Sequence, residues 1–281
     1  MNKEQRRNGF LMVKNRVDEI RNRYEARERI DKLRALVYGH CGTGKSRLAL
    51  SCPQPVFADS FDPQGFELRA LRKMKTEGRL IVDDRWERDD WKNPFVYRDW
   101  EKEMLKRRKE HFFDYIGTYF LDGTTRWAQS MMYAIMKKGN KNGPSRVGGT
   151  PEIQDYLVQQ MTGADELGRL LDLPCHVIVT GLIGTDKDEV SGKTTTGLLL
   201  SGKFSAQIPP LFSEVYVAQA AKGDWHLMTK PESTYFAKTR MGEGLFLPHE
   251  KPDIKALIRK AGMDDSDHEF LEDYLVKGVV A

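Results

Sequence analysis

Short apolar runs alternate with longer amphipathic segments along most of this chain. Apolar runs at residues 36–38, 56–59, 80–82, 115–122 and 175–180 predict buried strands. Helical periodicity between them predicts helices at residues 47–50, 66–76, 97–112, 126–137 and 151–172. This alternation predicts an α/β fold with a mostly parallel central sheet flanked by helices on both faces. Later strands, predicted at residues 214–218, 225–229 and 235–238, would add antiparallel strands at one edge.

Both ends of the chain are predicted to be helical. Residues 3–34 carry one apolar stripe at helical spacing, formed by Phe10, Val13, Val17, Ile20 and Tyr24. That helix either packs on its own domain or forms an arm that docks on a neighbouring subunit. Residues 252–276 predict two helices, the second capped from the acidic run at 264–267. We therefore expect an N-terminal helical arm (1–33), a core (34–250) and a C-terminal helical tail (251–281).

Composition places the chain among ordinary globular proteins. It has 281 residues, of which 40% are hydrophobic and 31% charged, and a formal net charge of +4. No apolar run reaches the ~20 residues of a membrane span, so no membrane partner is expected. The first residues lack the apolar core of a secretory signal. Three cysteines make no disulfide framework, so a reducing, cytoplasmic setting is expected.

The strongest chemical signal is the segment Gly39–Ser46, which has the pattern G-x-x-x-x-G-K-S between a predicted strand and a predicted helix. Its glycines let backbone N–H groups point at a β-phosphate. Lys45 would bind the β- and γ-phosphates and Ser46 would bind Mg²⁺, while the following helix would add its positive N-terminal end. The predicted ATP contacts are Gly39, His40, Cys41, Gly42, Thr43, Gly44, Lys45, Ser46 and Arg47.

A second half of a nucleotide site is predicted at Asp122. This carboxylate ends a mostly apolar strand next to the phosphate loop, from which it would hold the Mg²⁺ shell, usually through water. The alternative is that Asp122 only serves the turn after the strand. Thr124 and Thr125 follow at the strand tip, where hydroxyls can meet water or phosphate.

With these segments in this order, residues 33–250 resemble the RecA-like core of the P-loop ATPases. The chain most resembles the phage-encoded RecA-like proteins linked to recombination and single-strand annealing. The segments that carry the resemblance are 39–46, 56–65, 113–125, 175–204, 208–212 and 237–240.

The resemblance implies roles for further residues. Thr180 would be the γ-phosphate sensor at the end of the fourth core strand. The loops 138–150 and 184–204 would face single-stranded DNA. Lys238 and Arg240 would be presented to the nucleotide of the next subunit, where they would neutralise charge on the γ-phosphate. For this pair the alternative is a solvated strand end.

The sequence departs from the family pattern at the catalytic glutamate, which normally follows the second strand. Phe61 occupies that position here. Asp62 is the first candidate to replace the glutamate, and Asp59 is the second. Gly181 also follows Thr180, where a polar amide or histidine is usual. These departures favour a slow or DNA-stimulated ATPase.

The first hypothesis is an ATP-binding and ATP-hydrolysing protein that assembles as a filament or ring on single-stranded DNA, in a phage-infected bacterial host. A single-strand-binding protein or an annealase would be its partner. The alternatives are a DNA-translocating or packaging motor, a nucleotide-gated oligomeric scaffold with little hydrolysis, and a small-molecule kinase. Trp86 and Trp91 either belong to the core or stack on bases.

Overall fold

The fold is that of a computed structural model, which describes residues 10–19, 21, 32–139, 149–187, 194–221, 223–242 and 244–268. The chain divides into two compact units, Met1–Asp31 and Lys32–Ala281. In the first unit, helix α1 contains residues 10–19. Its side chains Phe10, Val13 and Val17 are exposed, while Ile20 and Tyr24 of the predicted stripe lie outside the described residues.

The second unit is built on one sheet. Its strands are β1 (Arg34–Gly39), β2 (Val56–Ser60), β3 (Leu80–Asp83), β4 (Thr118–Asp122), β5 (His176–Lys187), β6 (Thr194–Leu198), β7 (Glu214–Ala221), β8 (Asp224–Met228) and β9 (His249–Glu250). Its α-helices are α2 (Arg72–Thr76), α3 (Val96–Lys109), α4 (Thr124–Lys138), α5 (Ile153–Leu171), α6 (Phe204–Gln207) and α7 (Ile254–Lys260). Short 3₁₀ helices cover Ser46–Ser51, Arg69–Leu71, Phe112–Tyr115 and Pro209–Leu211.

The strand order is β3-β2-β4-β5-β1-β7-β8-β9, with β6 paired to β5 outside this path. All neighbours from β3 to β7 are parallel, whereas β8 and β9 are antiparallel. The predicted fold class, a mostly parallel sheet with antiparallel strands at one edge, is therefore confirmed. Because β5 lies between β1 and β4, the carboxyl ends of these three strands meet at one edge, where ligands bind in such sheets.

Two apolar clusters cover the two faces of the sheet. One contains the large rings of Trp100, Trp127 and Phe113, and the other contains Leu71, Tyr216 and Ile258. All residues of β2 and β4 are buried, as expected for parallel strands covered on both sides. The methionines of α4 are buried as predicted, and Trp86 also belongs to the core, whereas Trp91 is half exposed.

Several predicted elements are wrong in kind or extent. The segment after the phosphate loop is a 3₁₀ helix of 6 residues, because the chain turns extended at Cys52 before Pro53. Residues 235–238 make only isolated bridges, since Lys238 pairs with Val215 alone on the outer edge of β7. Strand β4 begins at Thr118, after a 3₁₀ turn at Phe112–Tyr115.

The predicted loop 184–204 is also wrong in kind. Strand β5 continues to Lys187 and pairs antiparallel with β6, and α6 begins at Phe204. The threonines of β6 suit a strand, since β-branched side chains favour extended backbone. Residues 188–193, between the two strands, lie outside the described residues.

The C-terminal tail contributes one described helix, α7, which buries Ile254, Leu257 and Ile258 in the second cluster. The Asp253 side chain caps it by accepting from the N–H of Ala256 at 3.0 Å. Most of the second predicted helix lies outside the described residues, and 264–268 are not helical. Within the described part of the chain, no helix combines the length and apolarity needed to cross a membrane.

His176 joins the start of β1 and β5 to the tail. Its buried ring accepts from the Leu33 N–H at Nδ1 (3.0 Å), and its Nε2 lies 3.1 Å from the Asp264 carbonyl oxygen. Only the neutral ring, with its proton on Nε2, satisfies both contacts. Burial, followed by the charge of Lys32, lowers the pKa of His176 to about 4.

The unfolded state therefore binds more protons than the folded state between pH 4 and 6.5, so stability rises with pH through this window. On lowering the pH from 7 to 5, we expect His176 to remove about 2 kcal/mol of stability. Urea unfolding at both pH values tests this in wild type, His176→Gln and the exposed control His111→Asn. The control should keep the wild-type pH response and His176→Gln should reduce it. An unchanged response in His176→Gln would contradict the assignment.

Candidate nucleotide site

The phosphate loop follows β1 directly, as predicted. Gly42 and Gly44 have φ angles of 79° and 81°, a left-handed conformation that favours glycine. A Cβ on Gly39 would collide with the Ala218 carbonyl oxygen of β7. The Thr43 hydroxyl donates to the His40 carbonyl at 2.8 Å and closes the turn. The glycines of the motif are thus required by backbone geometry and by close approach to β7.

Lys45 lies inside this loop. Its Nζ donates to the carbonyl oxygens of Gly39 (3.0 Å) and His40 (2.8 Å), and the residue is 9% exposed. Burial lowers the pKa of Lys45, while the charges of Asp122, Cys41 and Asp62 oppose that shift. The ammonium group therefore lies in the field of two carboxylates at the mouth of the loop.

Ser46, Asp122 and Thr180 form one hydrogen-bonded group. The Ser46 hydroxyl donates to Asp122 Oδ2 at 2.9 Å, and the Thr180 hydroxyl donates to Oδ1 of the same carboxylate. Strand β5 lies between β4, which carries Asp122, and the phosphate-loop strand β1, while Asp122 itself reaches the loop at Ser46. Thr180 comes from this intervening strand, so it bridges the two halves of the site. It also lies within β5 and not at its end.

The environment of Asp122 raises the pKa of its carboxyl to about 6. Burial is the main cause, and the charge of Asp62 adds to it. The hydrogen bonds from Thr180 and Ser46 and the charge of Lys45 act in the opposite direction. Ser46 and Asp122 present two neighbouring oxygen ligands, the type that Mg²⁺ prefers.

Asp62 is also brought into this group. The turn after β2 wraps over the end of β4, so a Cβ on Gly65 would lie 2.5 Å from Asp122 Oδ2. A Cβ on Gly123 would lie 2.8 Å from Asp62 Cγ. Burial raises the pKa of Asp62, and the charges of Lys45 and Arg126 oppose the shift. Phe61, at the position expected for glutamate, points into the core and is 1% exposed.

Asp59, the second candidate for the missing glutamate, is instead tied into the protein interior. Its fully buried carboxylate accepts from Trp86 Nε1 and Trp100 Nε1, both at 2.9 Å. Arg107 Nη1 donates to it at 3.0 Å and the Tyr119 hydroxyl at 2.7 Å. With both oxygens committed to these donors, Asp59 has no place in the chemistry of the phosphate loop.

Sequence reasoning missed three residues next to the site. Glu87 accepts from the Ser60 hydroxyl (2.8 Å) and the Gln64 N–H (3.0 Å), so it holds the turn that presents Asp62. Arg126 lies in the first turn of α4, and its positive charge lowers the pKa of Asp62, against the effect of burial. Trp225 of β8 contacts the phosphate loop. No motif marks these residues. Glu87 reaches the site through an irregular segment and Trp225 through strand order, whereas Arg126 follows Asp122 by four residues in the first turn of α4.

Lys238 and Arg240 are not brought to this group. Both side chains contact the Pro210 carbonyl oxygen, at 3.3 and 3.4 Å, and the Arg240 N–H donates to Glu214 Oε1 at 2.8 Å. Glu214 begins β7 and pairs with Ala35, four residues before Gly39. At ~3.3 Å per residue, the pair lies about 13 Å from the phosphate loop along the strand direction.

The two predicted DNA-facing loops are described only in part. Residues 140–148 of the first loop and 188–193 of the second lie outside the described residues.

The helix expected after the phosphate loop is the 3₁₀ turn Ser46–Ser51. A turn of this length adds little of the helix dipole that we expected at the anion site.

Comparison with known proteins identifies the family. The family model described as "AAA domain" matches residues 31–241, more than half of the chain. A solved ATPase from the type III secretion system of pathogenic bacteria matches at 15% identity and a TM-score of 0.43. That match covers 68% of this chain and 54% of the other, so this chain spans about half the length of that ATPase. No curated protein matches the sequence. On the family match and the geometry of its phosphate loop, the chain belongs to the AAA domain family of P-loop ATPases.

Proposed function

We propose that this protein binds and hydrolyses ATP and assembles on single-stranded DNA during phage-type recombination or strand annealing. The observation that carries the ATPase part is the convergence of Lys45, Ser46, Asp122 and Asp62 at the phosphate loop. A cation, a hydroxyl and two carboxylates are the groups that phosphoryl transfer to water requires at one point.

Each residue has a role in that reaction. The loop N–H groups and Lys45 bind the β- and γ-phosphates, and Thr180, which donates to Asp122, acts as the γ-phosphate sensor. Mg²⁺ would be held by Ser46 and, through water, by Asp122, and it would neutralise charge on the phosphate oxygens. Asp62 orients and deprotonates the attacking water, and burial, which raises its pKa, makes it a stronger base than an exposed carboxylate.

Asp62→Asn should separate hydrolysis from binding. The amide keeps the shape of the side chain but cannot take a proton, so kcat should fall about 100-fold while ATP affinity stays within a few fold. Steady-state hydrolysis and equilibrium ATP binding measure the two quantities. Asp114→Asn, an exposed position before β4, is the matched control. Hydrolysis at the wild-type rate in Asp62→Asn would rule out this role.

Self-association is supported by two features of the described residues. Lys238 and Arg240 contact Pro210 and the start of β7, away from their own phosphate loop, and this position supports a role at the nucleotide of a neighbouring subunit. Helix α5 exposes an apolar stripe at helical spacing, with Ile153 86%, Leu157 57% and Met161 67% exposed. Exposed apolar stripes of this kind mark protein–protein contacts.

DNA binding is supported by the charge of the two segments that the resemblance assigns to it. Exposed Lys138 and Lys203 lie in the described parts of segments 138–150 and 184–204. Cationic loops bind phosphates without reading bases. A single-strand-binding protein or an annealase is the partner that this activity would need.

Fluorescence anisotropy with a labelled single-stranded oligonucleotide, with and without ATP, tests the DNA part. We expect ATP to increase the affinity and to favour large complexes on single strands over duplex. Preference for duplex would favour a translocating or packaging motor. ATP-dependent assembly without hydrolysis would favour a nucleotide-gated scaffold, for which the absence of a glutamate after β2 is the specific argument.

A further inference from the structure

Trp225 lies against the phosphate loop although it belongs to the far edge of the sheet. Strand β8 pairs with β7, and β7 pairs with β1. In this register Trp225 of β8 is paired with Ala220 of β7, and Ala218 of β7 is paired with Gly39 at the end of β1. The Trp225 indole Nε1 lies 3.4 Å from the Gly42 carbonyl oxygen. Its Cδ1 would lie 3.4 Å from a Cβ on Gly44. The ring is therefore in contact with the two left-handed glycines of the loop.

The indole remains accessible beside this contact. Trp225 is 42% exposed, and the exposed Arg47 places its guanidinium carbon 5.2 Å from the ring centroid. An aromatic ring and a guanidinium plane at this spacing form a cation–π pair. Both groups also stack readily on nucleobases.

The side of the loop on which Trp225 lies fits a base and not a phosphate. The residues that would meet the γ-phosphate, Asp122, Thr180 and Asp62, come from β4, β5 and the turn after β2, all on one side of β1. Trp225 comes from β8, on the other side of β1. A nucleotide whose terminal phosphate lies beside Asp122 extends its sugar and base away from that carboxylate, across the loop.

We propose that Trp225, supported by Arg47, forms the surface on which the nucleobase of the bound nucleoside triphosphate stacks. This inference rests on the proposed ATP binding and adds the subsite for the base. Because every base has a π-face, stacking alone selects weakly among bases. The subsite would therefore supply affinity for nucleotides over inorganic polyphosphate, with little discrimination among the four bases.

The test compares ATP with inorganic tripolyphosphate, which has the phosphates but no base. Equilibrium binding of both, with Mg²⁺, is measured on the full chain as wild type, Trp225→Ala, Trp225→Phe and the half-exposed control Trp91→Ala. We expect Trp225→Ala to weaken the binding of ATP about tenfold or more and to leave the binding of tripolyphosphate unchanged. Trp225→Phe should restore part of the affinity, and Trp91→Ala should match wild type.

A second readout is the tryptophan fluorescence. ATP should change the wild-type emission, tripolyphosphate should change it much less, and Trp225→Phe should lose the ATP-specific change. Equal weakening of ATP and tripolyphosphate in Trp225→Ala would overturn the inference, because Trp225 would then only support the loop. ATP binding that depends on Lys45 but not on Trp225 would overturn the base subsite and leave the proposed function standing. Binding of neither ligand by wild type would overturn both.

Discussion

Lys45→Ala is expected to weaken ATP binding by about 100-fold or more and to abolish measurable hydrolysis. Lys45 is the cation at the mouth of the loop, where its Nζ is held by the carbonyls of Gly39 and His40. Without it, a triphosphate would meet the charges of Asp122 and Asp62 with no compensating charge from this side chain. Repulsion from two carboxylates would then add to the loss of the attractive contact.

The measurement is equilibrium ATP binding, with the unfolding midpoint recorded for each variant. Lys73→Ala is the matched control, because Lys73 is an exposed lysine of α2 whose side chain is 80% accessible. It should bind ATP as wild type does. If Lys45→Ala kept wild-type affinity while folded, the phosphate loop could not be the nucleotide site.

Asp59→Asn is expected to cost about 3–5 kcal/mol of folding free energy. Four donors converge on this carboxylate, and an amide offers only one acceptor oxygen to them. Arg107, 6% exposed, would also lose one of its buried counter-charges. A buried donor without a partner and a partly uncompensated charge are both costly.

Urea unfolding measures this loss, and Asp99→Asn on the exposed side of α3 is the control. Because Asp99 forms surface ion pairs with Arg98 and Lys102, we expect Asp99→Asn to lower the free energy of unfolding by less than about 1 kcal/mol. Asp59→Asn with normal stability and no hydrolysis would instead make Asp59 a catalytic residue. The distinction matters because the sequence offers both Asp62, the first candidate, and Asp59, the second, as replacements for the glutamate.

Much of the fold follows from the sequence because its signals are local. The apolar runs of β1, β2 and β4 and the periodicity of α3, α4 and α5 lie within single segments, and all six elements form near the predicted bounds. The phosphate loop is largely local as well, since Gly42 and Gly44 act through their own backbone angles, although Gly39 is also required by its close approach to Ala218 of β7.

The parts of the site that the sequence does not predict depend on which strands become neighbours in the sheet. Strand order places β5 between β1 and β4, and this makes Thr180 the bridge between Ser46 and Asp122. The same order carries Trp225 to the phosphate loop across β7. The donors around Asp59 come from β4, α3 and the segment after β3. Nothing in the spacing of these residues along the chain indicates that they meet.

The most direct test of the proposed function is the rate of ATP hydrolysis by the full chain, with and without single-stranded DNA. The proposed function predicts slow hydrolysis at the site of Lys45, Ser46, Asp122 and Asp62, and an increase in its rate with single-stranded DNA. Hydrolysis that is absent in both conditions, although ATP binds tightly, would contradict the ATPase and leave a nucleotide-gated scaffold.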